Sequence, residues 1–132
     1  MFKATQTSDG HWHCDKCQQT HETCVRRFIF SGTVADDTCT SWVSFFNEQA
    51  EILFNGAKAD DLYKGMMDPD GPGQDEYNST FASATYTDVV VKCKVKQDSV
   101  GEEQRIKTSV TSLCPMDYAA ESRHLLTALA AC

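Results

Sequence analysis

Between Arg26 and Asp36 the chain alternates. Phe28, Phe30, Gly32 and Val34 fall on one side, and Arg27, Ile29, Ser31 and Thr33 on the other, which is the period of a β-strand. A turn follows at 35–38. The stretch CTSWVSFF, 39–46, rich in aromatic and β-branched residues, predicts a second strand paired with the first. The period then changes. NEQAEILFNG predicts a helix capped by Asn47, with Glu48 and Glu51 near its positive end and Gly56 stopping it. AKADDLYKGMM predicts a second short helix. Residues 67–76, with their prolines and glycines, predict a loop, and EYNSTFASA is left between a loop and one helical turn.

Alternation returns at TYTDVVVKCKVKQ, 85–97, where Val89, Val91, Cys93 and Val95 oppose Val90, Lys92, Lys94 and Lys96. DSVGEE, 98–103, predicts a hairpin turn. QRIKTSVTSLC, 104–114, predicts the returning strand, with Ile106, Thr108 and Val110 inward and Pro115 as its end. From Asp117, a capping residue, to Cys132 the pattern is helical, with Tyr118, Ser122, Leu125, Leu129 and Cys132 on one stripe. The order hairpin, helices, hairpin, helix predicts an all-β core with short helices and a C-terminal α-helix, and it suits a small β-barrel of the OB-fold type.

Three patterns carry two readings each. Trp42 and Phe46 are four apart on one strand, so they share a face, while Val43 and Phe45 share the other. Either both faces are packed, or one aromatic pair stands exposed as a stacking platform for bases. Lys92, Lys94 and Lys96 form either a solvated row that blunts a sheet edge or a phosphate-tracking rail that Arg26, Arg27, Arg105 and Lys107 extend. The terminal stripe either docks on the chain's own barrel or meets a partner helix.

Composition narrows the class. At 132 residues, with 41% apolar and 23% charged residues, the chain fits one folded domain. No apolar run approaches a membrane span, and the N-terminal residues carry no secretory signature, so an intracellular protein with no membrane partner is expected. The net charge is −7, against the usual footprint of a nucleic-acid binder, but it is unevenly spread. The acids Asp36, Asp37, Glu48, Glu51, Asp60, Asp61, Asp68, Asp70, Asp75 and Glu76 crowd the middle, while the bases cluster between 85 and 110. Of the seven cysteines, Cys39, Cys93 and Cys114 lie in strand-like segments and are expected to pack as small hydrophobes with free thiols. No nucleophile elbow, HExxH, P-loop or dinucleotide fingerprint is present, so an enzyme is not expected. A thiol enzyme built on Cys14 with His13 or His21 is set aside, because the segment lacks any pocket-forming context.

HWHCDKCQQTHETC, 11–24, is the strongest chemical signal. Cys14 and Cys17 have the spacing of a zinc knuckle, but a structural zinc takes four ligands and no second CxxC occurs. Cys14, Cys17, His21 and Cys24 are the local set that would have to serve.

GHWHCDKCQQT, RRFIFSGTVAD, SWVSFFNEQAEILF, VVVKCKVK with EEQRIKTSV, and PMDYAAESRHLL resemble, in this order, the C-terminal DNA-binding domain of the replication protein A large subunit. The resemblance runs from about Gly10 to Leu126. It implies a partial zinc-ribbon segment over 1–25, an OB-fold barrel over 26–115 and an assembly helix over 116–132. It implies non-sequence-specific binding of single-stranded DNA in replication, repair and recombination, in the nucleus. Trp42 and Phe46 match base-stacking positions, and Arg27, Lys92, Lys94, Arg105 and Lys107 match basic positions near the binding face. Tyr118, Leu125, Leu126 and Leu129 match the helix that joins the middle and small subunits. Zinc is implied with an incomplete site. Cys14 and Cys17 match the second of the ribbon's two cysteine pairs, and either the sequence begins inside the ribbon or half of it is lost. The alternative is a telomere- or telomerase-associated paralogue that acts mainly as a trimerisation scaffold, suggested by the acidic middle and the missing pair.

Overall fold

The computed structural model describes residues 3–68, 70–100 and 103–132. Three short strands, β1 (Ala4–Gln6), β2 (Trp12–Cys14) and β3 (Gln19–His21), form an antiparallel sheet in sequence order. The larger sheet is built from β4 (Ile29–Ala35), β5 (Thr40–Phe46), β6 (Val89–Val100) and β7 (Glu103–Pro115), in the order β4-β5-β7-β6. Between its two hairpins lie α1 (Asn47–Leu53), α2 (Ala59–Met67) and α3 (Pro72–Ala84), and α4 (Tyr118–Ala130) closes the chain. The expected all-β core of the OB type, with short helices and a C-terminal helix, is present. The described pairings leave β4 and β6 as edges, so hydrogen bonding does not close the sheet into a full barrel.

The alternation read in the sequence sets the register. Phe30 lies opposite Phe45, and Gly32 opposite Val43, on one face of the β4–β5 hairpin. On β7, Val110 and Leu113 join them, and Val43, Phe45, Val110 and Leu113 are all 5% exposed or less. Phe30 and Phe45 stack at 4.9 Å between ring centroids. Phe54, at the end of α1, meets Phe28, Phe30 and Phe81, which ties α1 and α3 to the inner face. Burying such rings is the main source of stability in a domain this small.

Several local expectations are corrected. Asn47 is the first helical residue and not the cap: its Oδ1 accepts the Phe28 amide at 3.0 Å, and its amide donates to Glu51 at 2.9 Å. Gly56 does end the turn, at φ +89°, with its N–H on the Glu51 carbonyl. The loop predicted over 67–76 ends early, and the ambiguous stretch after it is helical. Pro72 starts α3, where a missing N–H costs nothing. A Cβ on Gly65 of α2 would meet the Gly73 carbonyl, so the paired glycines allow the two helices to cross closely. Ile106 is exposed and not inward, because β7 bridges β5 at Ser44–Ser109 and the β6–β7 hairpin continues from there toward Ile106 as a two-stranded ribbon. Strand pairing continues from Val100 to Glu103, and the centre of the predicted 98–103 turn lies outside the described residues. Cys39, Cys93 and Cys114 are exposed and not packed inside. Cys39 precedes β5, and Cys93 sits on the edge strand β6.

Arg26 joins the small sheet to the main body. Its guanidinium lies 3.8 Å from the centroid of the Tyr63 ring on α2 and 5.3 Å from that of Trp12 on β2. It also donates to Asp60 at 3.0 Å, and that carboxylate raises its pKa further. Cation–π contact on two rings suits a planar, weakly hydrated cation.

Candidate nucleic-acid interface

The face of the main sheet opposite the core carries the candidate site. Side chains alternate, so burial of Val43 and Phe45 sends Trp42, Ser44 and Phe46 outward. Trp42 is 68% exposed and Phe46 41%. Across β4, Thr33 lies opposite Trp42, Ser31 opposite Ser44, and Ile29 opposite Phe46. Across β7, Ser44 pairs with Ser109 in a parallel bridge. Ser109 in turn pairs with Lys94, and Lys107 with Lys96. The lysines at even positions of β6 therefore share the outward face with both aromatic rings. Trp42 and Phe46 are thus exposed and not packed, and the inner face is filled by their neighbours.

A groove of about 440 Å³ runs beside Phe46. Arg27, Lys94, Lys96, Ser109 and Glu48 line it together with the ring. Three cations around one exposed aromatic, with one carboxylate opposing them, give a local positive potential on an acidic molecule. Not all the predicted basic residues meet there. Lys92 lies on the same face but pairs with Ser112 beyond a bulge at Lys92/Cys93, away from Phe46. Arg105 and Lys107 stand on the ribbon, opposite Asp98 and Lys96 respectively. Lys96 completes the groove, although sequence reasoning singled out only Lys92 and Lys94 of its row as binding residues. The signal was there, since Lys96 has the same parity. The serine row was missed altogether, because an isolated Ser in a strand says little until its cross-strand neighbours are known.

Of the acids of the middle, Glu48 lines the groove, while Glu51 and Asp36 are engaged in local contacts. Glu51 is held by Lys58 and Asn47, which keep its carboxyl below the usual range. Asp36 accepts from Thr38 and Cys39 in the β4–β5 turn and is likewise lowered. Both are committed to local structure.

At the knuckle, Cys14 is buried and Cys17 exposed. The Cys17 thiol faces the Cys14 carbonyl at 4.0 Å. The Cys17 amide and thiol and the Lys16 amide hold the Cys14 thiol below its ordinary pKa. His21 and Cys24 do not join them. His21 pairs with Trp12, at the far end of the strands from the turn, and Cys24 lies beyond β3. Among the described residues no group of three or more His, Cys, Asp or Glu side chains is placed to hold a metal ion. Two thiols supply half a tetrahedral zinc set, so the described residues do not make a closed site.

Helix α4 is capped as expected, with Asp117 accepting the Ala120 amide at 3.0 Å. It buries no residue, and Tyr118, Leu125, Leu126 and Leu129 are all more than half exposed. Its root is tied down by the Tyr118 hydroxyl, which donates to Asp88 at 2.9 Å, a carboxylate that raises the phenol's pKa. No helix among the described residues is long and apolar enough to cross a membrane.

A family profile described as the replication factor-A C-terminal domain matches residues 2–125. The chain belongs to this family. Among its relatives, one of the replication protein A 70 kDa DNA-binding subunits of Arabidopsis thaliana is 34% identical over 94% of this chain. The chain spans only 19% of that relative's length. A solved replication protein A heterotrimer bound to ssDNA superposes with a TM-score of 0.82 at 28% identity, covering 96% of this chain and 28% of the other. Yeast RPA bound to ssDNA gives 0.80 at 25% identity, covering 98% and 70%. The replication factor-A likeness thus embraces the small sheet, the main sheet and most of α4. The relatives' names are those of DNA-binding subunits and not of enzymes.

Proposed function

We propose that this chain binds single-stranded DNA without sequence preference across the outer face of the main sheet, as the C-terminal OB domain of a replication protein A large subunit. The observation that carries this reading is the exposure of Trp42 and Phe46 on one face, with Arg27, Lys94 and Lys96 around Phe46. Aromatic faces accept any base, each stacked base contributing about 1–3 kcal/mol, and the cations follow the phosphates. Relatives named as DNA-binding subunits, and similar folds seen in heterotrimers bound to ssDNA, support the same reading. The protein acts in the nucleus, in replication, repair and recombination.

Helix α4 is the assembly element of the proposal. Its leucines are more than half exposed on their own domain, and an exposed apolar stripe of this kind fits partner helices from middle and small subunits. The acidic charge and the unburied helix also favour a second reading, a scaffold paralogue that holds partners and barely touches DNA. One experiment separates the two. Oligo-dT affinity is measured against salt for the native chain and for Trp42→Ala/Phe46→Ala. The proposal expects salt-dependent binding that falls at least tenfold in the double variant. Equal affinity for both proteins would remove the stacking role, and negligible affinity of the native chain would select the scaffold.

A further inference from the structure

Between the two aromatic platforms lies a polar floor that neither ring accounts for. Ser44 sits midway between Trp42 and Phe46 and points outward with them. On β4 its partner is Ser31, and the two hydroxyls stand 3.2 Å apart. On β7 its partner is Ser109, whose own partner on β6 is Lys94. Three hydroxyls and one ammonium thus cross all four strands in a single line, perpendicular to the line that joins the rings. Small side chains here leave open space between two tall ones.

The spacing along β5 limits what can lie there. Four residues of strand separate the platforms by about 14 Å. Bases stacked in a regular strand are about 3.4 Å apart, so an intact stack between the rings would hold about three bases, whereas the floor offers a single row of hydroxyls, at Ser44, which serves the edge of one. A fully extended sugar–phosphate backbone advances about twice the stacked rise per nucleotide, so it covers the gap in about two steps.

We propose that a strand bound here is splayed, with one nucleotide held between the two stacked bases, its base edge on the Ser31–Ser44–Ser109 hydroxyls and its phosphate toward Lys94. Hydroxyls both donate and accept, so this middle position takes any base and discriminates by the presence of an edge, not by its identity. The two outer positions need a π-face, and the middle one needs only hydrogen-bonding groups. The inference rests on the single-strand reading above and adds a pattern of base dependence to it.

Oligonucleotides of equal length test it: uninterrupted dT, thymine alternating with an abasic residue, and pairs of thymines alternating with pairs of abasic residues. The alternating oligonucleotide can place bases on both rings at once, whereas the paired one always loses a ring. The expectation is that the alternating oligonucleotide binds within about threefold of dT and the paired one about tenfold or more below it. Ser44→Ala lowers affinity for dT about threefold and leaves the alternating oligonucleotide unchanged, because no base then lies over the floor. Equal losses for the alternating and paired oligonucleotides would overturn the one-nucleotide spacing while leaving ring stacking intact. An effect of Ser44→Ala on the alternating oligonucleotide as large as on dT would overturn base contact with the floor. Equal binding of all three would overturn the stacking reading itself.

Discussion

The two faces of β5 are made from nearly the same residues and do opposite things. Phe45 and Phe46 are neighbours in sequence; one is 4% exposed and stacked on Phe30, and the other is 41% exposed beside Arg27, Lys94 and Lys96. The same holds for Val43 and Trp42, at 1% and 68%. Nothing intrinsic to an aromatic side chain decides its role. The layer beneath decides it: α1 and α3 bring Phe54 and Phe81 under the inner face, and among the described residues no element covers Trp42. A sheet with one face packed and the other dressed with exposed rings separates stability from the proposed binding along a single strand.

The sharpest way to break this comparison is to truncate the two phenylalanines in turn. Phe45→Ala opens the packed face and is expected to lower unfolding free energy by about 3–5 kcal/mol in a denaturant titration. Phe46→Ala is expected to leave that free energy within about 1 kcal/mol while weakening oligo-dT binding by about 1–3 kcal/mol. Similar stability losses for the two variants would mean that the faces are not divided as described.

A smaller effect is expected at α4, which stands apart from both faces. A helix of 13 residues with nothing buried is marginal on its own, so its cap carries weight. Asp117→Ala is expected to cost about 1 kcal/mol of local helix stability, seen as lost helical signal by circular dichroism. The unfolding midpoint of the sheet should not move, and a shift of that midpoint would show that α4 packs on the body after all.

The smallest effect is electrostatic. Lys94→Gln removes one cation from the groove without touching either ring. The slope of log affinity against log salt should flatten by about 0.7, the value for one phosphate on a single strand. An unchanged slope would place Lys94 off the path of the backbone.

Much of this division could be read in the chain, and the failures are informative. Alternation over 26–36 and 85–97, with the aromatic and β-branched content of 39–46, was enough to assign the strands, and the period of two then divided β5 into its two faces. Alternation could not say which face would be covered. That depended on helices whose packing rests on Phe54, Phe81 and the Gly65–Gly73 crossing, none of which has a local signature. Ile106 and Cys93 carried the correct parity for an inner face, but Ile106 lies on the two-stranded ribbon and Cys93 on the edge strand β6. Parity gives a side, and only tertiary context gives burial. The knuckle was legible as a pair of thiols and no further. His21 looked close to Cys14 in sequence, yet the β2–β3 register carries it away from the turn.

The central claim is that Trp42 and Phe46 touch bases while Phe45 and Phe30 do not. Photo-crosslinking answers it directly. Oligo-dT is irradiated with the chain, and the adducts are mapped by mass spectrometry. The account predicts adducts at Trp42 and Phe46, lost on competition with unlabelled single strand, and none at Phe45 or Phe30. Adducts confined to the helices or to the small sheet, with β5 unmodified, would contradict it.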